Sequence, residues 1–595
     1  MLRLAIAQFR PAKGRYAENL ARLGAIFAEV AGWDEPPQLM VLPESALTGY
    51  FLEGGVQELA LPAEKLFADL SAEHAKSGAP PMEIALGFYE VHNNRLHNSA
   101  LYAALGGPDA RIVHVHRKIF LPTYGVFDEE RFVEAGKTVQ AFDTRWGRAA
   151  ILVCEDAWHS LTGTLAALDG AQLILIPSAT PGRGIQPSEG SERPANLARW
   201  ERLSQGIAEE HGVFVAVCHL VGFEGGKGFA GGSVLHSPRG ELMSEGPVFE
   251  PAIIAATLDF DEVTRARADA PLLADLESRL PYLLADRRMG GSADGPAMKV
   301  RAGKNGSDLP RPIRASAHPP VRPSAAPLAI DAALTRKWLV EFLRDEIQRR
   351  RGFDHAVIGL SGGVDSAVVA YLAAEALGAE NVTAVRMPYR TSSKDSMAHA
   401  QLVIDKLGIN EKTVDISAAV DGMVAAVGDT SPARKGNIMA RARMIALFDL
   451  SVPLEALPVG TGNKSERLLG YFTWHADDSP PVNPIGDLFK SQVWELARHL
   501  GVPEEIIAKP ASADLISGQT DEGDFGISYA RADLILHWLL SGYRPEAVEQ
   551  AGFTREEIRL VRSRLEGTHW KRRMPTVAML SQTSIGEYYL RPVDY

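Results

Sequence analysis

The chain has 595 residues, of which 46% are hydrophobic and 23% charged, and its formal net charge is −12. This composition is typical of a soluble globular protein, and the length exceeds what one hydrophobic core usually holds, so we expect two large domains. The acidic balance disfavours nucleic-acid and membrane partners. The start, MLRLAIAQFRPAKG, has too short an apolar run for a signal peptide, and no uncharged stretch of 18 apolar residues occurs. Cys154 and Cys218 are the only cysteines, which excludes a disulfide framework, and we expect a cytoplasmic protein.

Short β-type runs recur in the first half of the chain, from LRLAIAQF at residues 2–9 to VFVAVCHLV at residues 213–221. Helical patterns at Ala17–Ala31 and Asn196–His211 separate some of them. Buried strands and helices in this arrangement predict a mixed, layered α/β domain.

A change of composition follows from about Arg287 to Pro327, where Gly, Pro, Ala and basic residues replace large apolar ones. Such a segment is typical of a linker or an extended surface arm. We therefore predict a first domain at residues 1–280, a linker at 281–327 and a second domain at 328–595.

In the second half, the runs HAVIGL, NVTAVRM, KTVDI and ALPVGT alternate with helical patterns at Ser366–Leu377, Lys394–Leu407 and Ile438–Leu450. This alternation predicts βαβ units and a doubly wound, parallel sheet. Ligands of such sheets bind at the carboxyl ends of the strands.

A glycine-rich turn follows the run HAVIGL and lies at such a strand end. Backbone N–H groups and hydroxyls at a helix N-terminus suit a phosphate, although the lysine of a Walker A loop is missing. Asp365 would repel a phosphate unless it binds a bridging Mg²⁺, and otherwise it would only favour the first helical turn. The candidate phosphate-binding residues are Gly359, Leu360, Ser361, Gly362, Gly363, Val364, Asp365 and Ser366.

The string GLSGGVDS at residues 359–366 resembles the signature of the N-type ATP pyrophosphatases. That family cleaves ATP between the α- and β-phosphates to adenylate an oxygen of its substrate. The resemblance implies that the loop cradles the leaving pyrophosphate, so no Walker lysine is needed.

Further motifs appear in the order and spacing seen in NAD synthetases: KGNIMARARM (435–444), LPVGTGNKSERLLGYF (457–472), NPIGDLFKSQV (483–493), KPASADL (509–515), GQTDEGDFG (518–526) and KRRMP (571–575). This resemblance implies an ATP site that includes Thr461, Lys490 and Ser512. It implies a second Mg²⁺ carboxylate at Glu466. It also implies that Asn437, Arg441 and Lys571 bind nicotinic acid adenine dinucleotide.

Three reactive side chains stand at strand ends or in motifs of the first half, namely Glu44 in VLPESALTGY, Lys118 in HVHRKIF and Cys154 in AAILVCEDAWH. A carboxylate, an ammonium and a thiol can serve as base, oxyanion stabiliser and nucleophile. Taken singly, each residue is more often a core thiol or a surface charge. As a set in this order they resemble the Glu-Lys-Cys triad of the nitrilase superfamily of carbon–nitrogen hydrolases, which have an α-β-β-α layered fold.

The two resemblances together cover nearly the whole chain, which is similar to the glutamine-dependent NAD synthetases. In that family the first domain hydrolyses glutamine through a thioester and supplies ammonia. The second domain adenylates the carboxylate of nicotinic acid adenine dinucleotide with ATP, and ammonia then gives NAD⁺ and AMP. The resemblance also implies Tyr124 as a glutamine contact, Mg²⁺ as cofactor and a homo-oligomer.

Two segments depart from the family pattern. From the end of the run LILIPS this chain reads IPSATPGRGIQ, where Ser178, Thr180 and Arg183 can substitute for the usual glutamine contacts. In GYFTWHADDSPPVNP, Trp474 replaces a lysine common among relatives, and a tryptophan there can stack on a ring.

These departures leave alternatives open. One is an AMP-forming amidotransferase that acts on a different carboxylic acid. Others are a nucleotide-binding protein with an inert amidase half, and a nitrilase with an accessory domain. The intact pairs of titratable groups in both halves favour a ligase with two active sites.

Overall fold

The computed structural model describes residues 1–52, 55–186, 193–289, 327–428, 430–512 and 520–573. They form two compact units. The first contains Met1–Gly184 and the described residues 193–289, and the second contains residues 185–186 and the described residues from 327 onwards. No helix among the described residues is long and apolar enough to cross a membrane.

The first unit is rich in strands. They are β1 (Leu2–Gln8), β2 (Leu39–Val41), β3 (Met82–His92), β4 (Arg95–Leu105), β5 (Arg111–Arg117), β6 (Ala141–Thr144), β7 (Gly147–Ile151), β8 (Leu173–Ser178), β9 (Phe214–His219), β10 (Val221–Glu224), β11 (Lys227–Ala230), β12 (Val234–His236), β13 (Leu242–Glu245) and β14 (Ala252–Leu258). The helices are α1 (Tyr16–Ala31), α2 (Val56–Leu59), α3 (Ala63–Ser77), α4 (Ser160–Leu168), α5 (Ala195–His211), α6 (Asp261–Asp269) and α7 (Leu272–Met289). Short 3₁₀ turns lie at Glu129–Arg131 and Cys154–Trp158.

The second unit is rich in helices. They are α8 (Ala332–Leu343), α9 (Val364–Leu377), α10 (Lys394–Leu407), α11 (Ser417–Val427), α12 (Pro432–Ser451), α13 (Lys464–Leu469), α14 (Lys490–Leu500), α15 (Glu504–Ile507), α16 (Asp521–Phe525), α17 (Tyr529–Leu540), α18 (Pro545–Gln550) and α19 (Arg555–Gly567). The strands are β15 (His355–Gly359), β16 (Val382–Arg386), β17 (Asn410–Thr413) and β18 (Ala456–Val459).

Two six-stranded sheets form the centre of the first unit, in the orders β14-β1-β2-β3-β4-β5 and β13-β12-β9-β8-β7-β6. Apolar side chains of both sheets share one core, in which Leu4 of β1 and Leu175 of β8 are fully buried. Helices α1 and α3 pack through Phe27 and Leu70 against the outer face of the first sheet. Helix α5 covers the second sheet through Trp200. These layers confirm the predicted α-β-β-α fold.

The second unit contains a parallel four-stranded sheet with the order β17-β16-β15-β18. Helix α9 is apolar nearly all round, as a helix buried against a sheet requires, and α12 contributes Leu447 to a separate cluster with Val357 and Val385. The chain order reverses between β15 and β18, so the loops after these two strands open onto one crevice. The predicted doubly wound, parallel domain is confirmed.

The predicted boundary at residue 280 falls inside a helix, because α7 continues to Met289 through Pro281. Most of the predicted linker, residues 290–326, lies outside the described residues.

Candidate active sites

Glu44 lies just beyond the carboxyl end of β2, in a turn where its side chain is fully buried. Its Oε1 accepts hydrogen bonds from Lys118 Nζ at 2.8 Å and Asn98 Nδ2 at 2.7 Å. Its Oε2 accepts from the backbone N–H of Ala179 at 2.9 Å. Such a buried carboxylate is held in one orientation by donors from three different segments.

Lys118 follows β5 and is fully buried between two carboxylates. Its Nζ donates to Glu44 and, at 2.7 Å, to Oε2 of Glu129 in the 3₁₀ turn. Burial would lower the pKa of Lys118, but the charges of Glu129 and Glu44 raise it well above its ordinary value. Lys118 therefore carries a fixed positive charge in a water-poor site.

Glu129 is a third charged residue at this site, and the sequence did not single it out. Burial, opposed by Lys118, raises the pKa of Glu129 to about 7. Asn98 in the middle of β4 hydrogen-bonds to both Glu129 and Glu44. The two carboxylates thus share one lysine and one amide.

Cys154 begins the 3₁₀ turn after β7 and has a φ of +47°, a left-handed conformation that is uncommon for a residue with a side chain. Ser178 Oγ donates to Cys154 Sγ at 3.4 Å, and Thr180 Oγ1 lies 3.7 Å from the sulfur. Burial and the charge of Glu44 raise the pKa of Cys154 to about 12, while Lys118 opposes the shift. The thiol is therefore neutral at pH 7 and needs a base to become a nucleophile.

The predicted glutamine contacts lie near the thiol. The Tyr124 hydroxyl donates at 2.8 Å to Glu155, the residue after Cys154. The guanidinium of Arg183 packs against Gly125, where an added Cβ would lie 2.9 Å from its Nη2. Tyr124 and Arg183 therefore both lie at Gly125, and the Tyr124 hydroxyl reaches the residue next to the nucleophile.

The loop after β15 caps the N-terminus of α9 in the second unit. Ser366 Oγ donates to the carbonyl of Gly363 at 3.0 Å and accepts from the backbone N–H of Ser361 at 3.3 Å. Gly362 has a φ of +77°, and an added Cβ would lie 2.1 Å from the carbonyl oxygen of Ser396. These contacts fix the turn and leave the first N–H groups of α9 available to an anion.

Two carboxylates converge beyond this loop. Asp365 accepts from Asn463 Nδ2 at 3.0 Å, and Asn463 also caps α13 by accepting from the N–H of Glu466 at 3.0 Å. Lys490 is buried, pairs with Asp365 and lies 3.7 Å from Glu466 Oε1. Burial and the charge of Asp365 raise the pKa of Glu466 to about 8.

A cavity of about 530 Å³ opens at this edge of the sheet. It contains most of the residues predicted for ATP and the dinucleotide, namely Gly359, Leu360, Ser361, Gly363, Val364, Asp365, Ser366, Thr461, Glu466, Lys490, Ser512, Asn437 and Lys571. Residues predicted from segments that are far apart in the chain therefore line one cavity.

Three residues named from the sequence are not among those that line this cavity. Gly362 packs on Ser396 of α10. Arg441 is exposed and donates to the Trp474 carbonyl at 3.1 Å, whereas Arg443 of the same helix does line the cavity. The centroid of the Trp474 ring lies 4.0 Å from that of His475 and 5.2 Å from that of Trp570, so this ring packs against two side chains.

The donor set around Asp365 suits Mg²⁺, which prefers oxygen ligands and is usually held by one or two carboxylates together with substrate phosphates. Asp365 and Glu466 both line the cavity beside the phosphate-type loop. Among the described residues, no group of three or more His, Cys, Asp or Glu side chains is arranged to hold a metal ion. Two carboxylates beside a phosphate-type loop fit a Mg²⁺ ion that substrate phosphates also hold.

Both halves of the chain match known protein families. The NAD synthase family matches residues 335–575, and the carbon–nitrogen hydrolase family matches residues 3–268. An NH₃-dependent NAD⁺ synthetase of Chlorobaculum parvum is 46% identical over 260 residues, which are 44% of this chain and 94% of that protein. A glutamine-dependent NAD⁺ synthetase of Thermotoga maritima is 29% identical over 608 residues, with 100% of this chain and 98% of that protein covered.

The chain belongs to the glutamine-dependent NAD synthetase family. A solved structure of such a synthetase from Acinetobacter baumannii, in complex with ADP, shares the fold with a TM-score of 0.69. It is 22% identical, and the match covers 100% of this chain and 98% of that one.

Sequence reasoning missed several residues of this synthetase that complete the two sites. Asn98 lies within a strand that had no clear pattern, and Glu129 lies in the acidic string FDEERF, where nothing distinguishes it from its neighbours. Asn463 carried a usable signal, since Asn followed three residues later by Glu is a capping pattern.

Proposed function

We propose that this chain makes NAD⁺ from nicotinic acid adenine dinucleotide, ATP and glutamine, with AMP and pyrophosphate as further products. The pairing of a buried Glu44–Lys118–Cys154 site with a phosphate-type loop in one chain carries this proposal. The family membership and the names of the relatives support the same substrates.

In the first unit, Glu44 takes the proton of Cys154, and the thiolate attacks the amide carbon of glutamine to form a thioester. Lys118 stabilises the oxyanion that develops in this step, since its charge is fixed and desolvated. Glu44 passes the proton to the departing ammonia, and water then releases glutamate from the sulfur. Tyr124, Ser178, Thr180 and Arg183 orient the glutamine.

In the second unit, the loop at residues 359–366 and the Lys490 ammonium hold the phosphates of ATP while the carboxylate of the dinucleotide attacks the α-phosphorus. Asp365 and Glu466 would hold Mg²⁺, which when bound neutralises charge on the departing pyrophosphate. Thr461 and Ser512 contact ATP. Ammonia displaces AMP from the acyl adenylate, which completes the amide of NAD⁺.

The dinucleotide is assigned to Asn437 and Lys571, with Arg443 added because it lines the same cavity. Arg441 remains a prediction from the sequence, as do the domain boundaries, the homo-oligomer and the cytoplasmic location.

The experiment is product formation by the purified protein with ATP, Mg²⁺ and nicotinic acid adenine dinucleotide, in parallel with glutamine and with ammonium chloride. We expect NAD⁺ from both nitrogen sources, with one AMP per NAD⁺. Glutamine hydrolysis without NAD⁺ from either source would point to a different acid as substrate and would reject the proposal.

A further inference from the structure

Asp156 is a buried carboxylate that the steps above do not use. It lies two residues after Cys154 and is fully buried. Its Oδ1 accepts from the backbone N–H groups of Ile119 and Phe120, both at 2.9 Å. Its Oδ2 accepts from His116 Nε2 at 2.8 Å and from the N–H of Val153 at 3.1 Å. Each oxygen therefore has two donors.

These donors come from two different sheets. His116 lies near the end of β5, at the edge of the first sheet, and Ile119 and Phe120 follow that strand. Val153 follows β7 in the second sheet. No ladder of backbone hydrogen bonds joins β5 to β7, since each pairs within its own sheet. One carboxylate thus connects the turn that carries the nucleophile to the strand end that carries the lysine.

We propose that Asp156, oriented by His116, is a positioning residue that fixes the distance between the Lys118 ammonium and the Cys154 sulfur. This inference rests on the proposed glutaminase reaction. Lys118 makes its own hydrogen bonds to Glu44 and Glu129, so its position relative to the sulfur depends on the backbone on either side. A displacement of about 1 Å in such a site lowers a rate roughly 100-fold.

The test variant is Asp156→Asn, which keeps the size of the side chain. The amide has only one oxygen, so in either orientation its NH₂ group faces at least one backbone N–H donor, from Ile119 and Phe120 or from Val153. The matched control is Asp143→Asn in β6, because that side chain is 82% exposed and pairs only with Arg148 on the surface at 3.2 Å.

We expect Asp156→Asn to lower the glutamine-dependent kcat by about 100-fold, with a KM for glutamine within about threefold of the wild type. Ammonia-driven synthesis should stay unchanged. A kcat within threefold of the wild type would overturn the proposal. A fall in kcat/KM that comes entirely from a rise in KM would also overturn it.

The rate at which iodoacetamide alkylates Cys154, measured by peptide mass spectrometry, distinguishes a positioning role of Asp156 from a merely structural one. A misplaced Lys118 stabilises the thiolate less, so the positioning role predicts slower alkylation at pH 7 than in the wild type. A loosened fold would expose the thiol, which is 7% exposed, and would speed alkylation. Faster or unchanged alkylation overturns the proposal. Cys218, which is fully buried, serves as an internal reference.

Two His116 variants keep the proposal testable even if Asp156→Asn does not fold. A glutamine amide can place an N–H near the position of His116 Nε2, so His116→Gln should retain kcat within about threefold, while His116→Ala should lose about tenfold. Equal losses in the two variants would overturn the proposal.

If the wild type releases no ammonia from glutamine, the proposed function fails, but the alkylation rates still test the role of Asp156.

Discussion

Gly87 of β3 packs closely against the backbone of Glu44. A Cβ added at Gly87 would lie 2.5 Å from Glu44 Cα and 2.7 Å from the amide nitrogen of Ser45. Carbon atoms in contact are normally about 3.5–4.0 Å apart, so Gly87→Ala must push the turn away by about 1 Å. The contact is with backbone, so rotation of a side chain cannot relieve it.

The expected loss of glutaminase activity follows from the contacts of Glu44. A shift of about 1 Å disturbs the 2.9 Å hydrogen bond from Ala179 and changes the position of the base relative to Cys154. We expect the glutamine-dependent kcat to fall about 100-fold, which corresponds to about 2.7 kcal/mol of barrier. Ammonia-driven synthesis should be unaffected, because the change lies in the first unit.

The measurement is NAD⁺ formation with glutamine and with ammonium chloride. Gly206→Ala in α5 is the matched control, since no atom lies within 4 Å of its added Cβ and alanine favours a helix. If Gly87→Ala kept more than about a third of the glutamine-dependent kcat, the close approach of β3 to Glu44 would not constrain the base, and the reasoning would be refuted.

Three further predictions use the same two assays, calorimetry or the alkylation reaction. Cys154→Ala should abolish glutamine-driven NAD⁺ synthesis and spare ammonia-driven synthesis, whereas unchanged glutamine-driven turnover would reject Cys154 as nucleophile. Gly362→Ala should abolish both activities and ATP binding by calorimetry, because its Cβ would lie 2.1 Å from the carbonyl of Ser396, and retained binding would contradict this. Burial raises the pKa of Cys154 to about 12, so the thiolate fraction, and with it the alkylation rate, should still be rising at about pH 10. A rate that levels off at about pH 9.5, about one unit above the ordinary thiol pKa of about 8.5, would contradict this.

The sequence predicted the fold well where local patterns and packing agree. The predicted helix Lys394–Leu407 coincides with α10, and Ser366–Leu377 differs from α9 only at its first turn. Strand β4 was missed, because its residues Arg95–Leu105 are buried on both faces at most positions and show no alternation of polar and apolar residues.

The sites were predictable where a reactive side chain follows a strand, as Cys154 follows β7. They were not predictable where a distant segment folds over the site, as with Glu129. They were also not predictable where the rotation of a helix about its axis decides which side chain faces the site. Arg441 and Arg443 are two residues apart on α12 and therefore point to nearly opposite sides, and only coordinates show which one faces the cavity.

The central claim is that one chain hydrolyses glutamine and uses the released nitrogen to make NAD⁺. Glutamine labelled with ¹⁵N in its side-chain amide, supplied with ATP, Mg²⁺ and nicotinic acid adenine dinucleotide, tests it directly by mass spectrometry of the product. We predict NAD⁺ that carries one ¹⁵N, with one AMP and one pyrophosphate formed for each. Labelled ammonia without labelled NAD⁺ would contradict the claim.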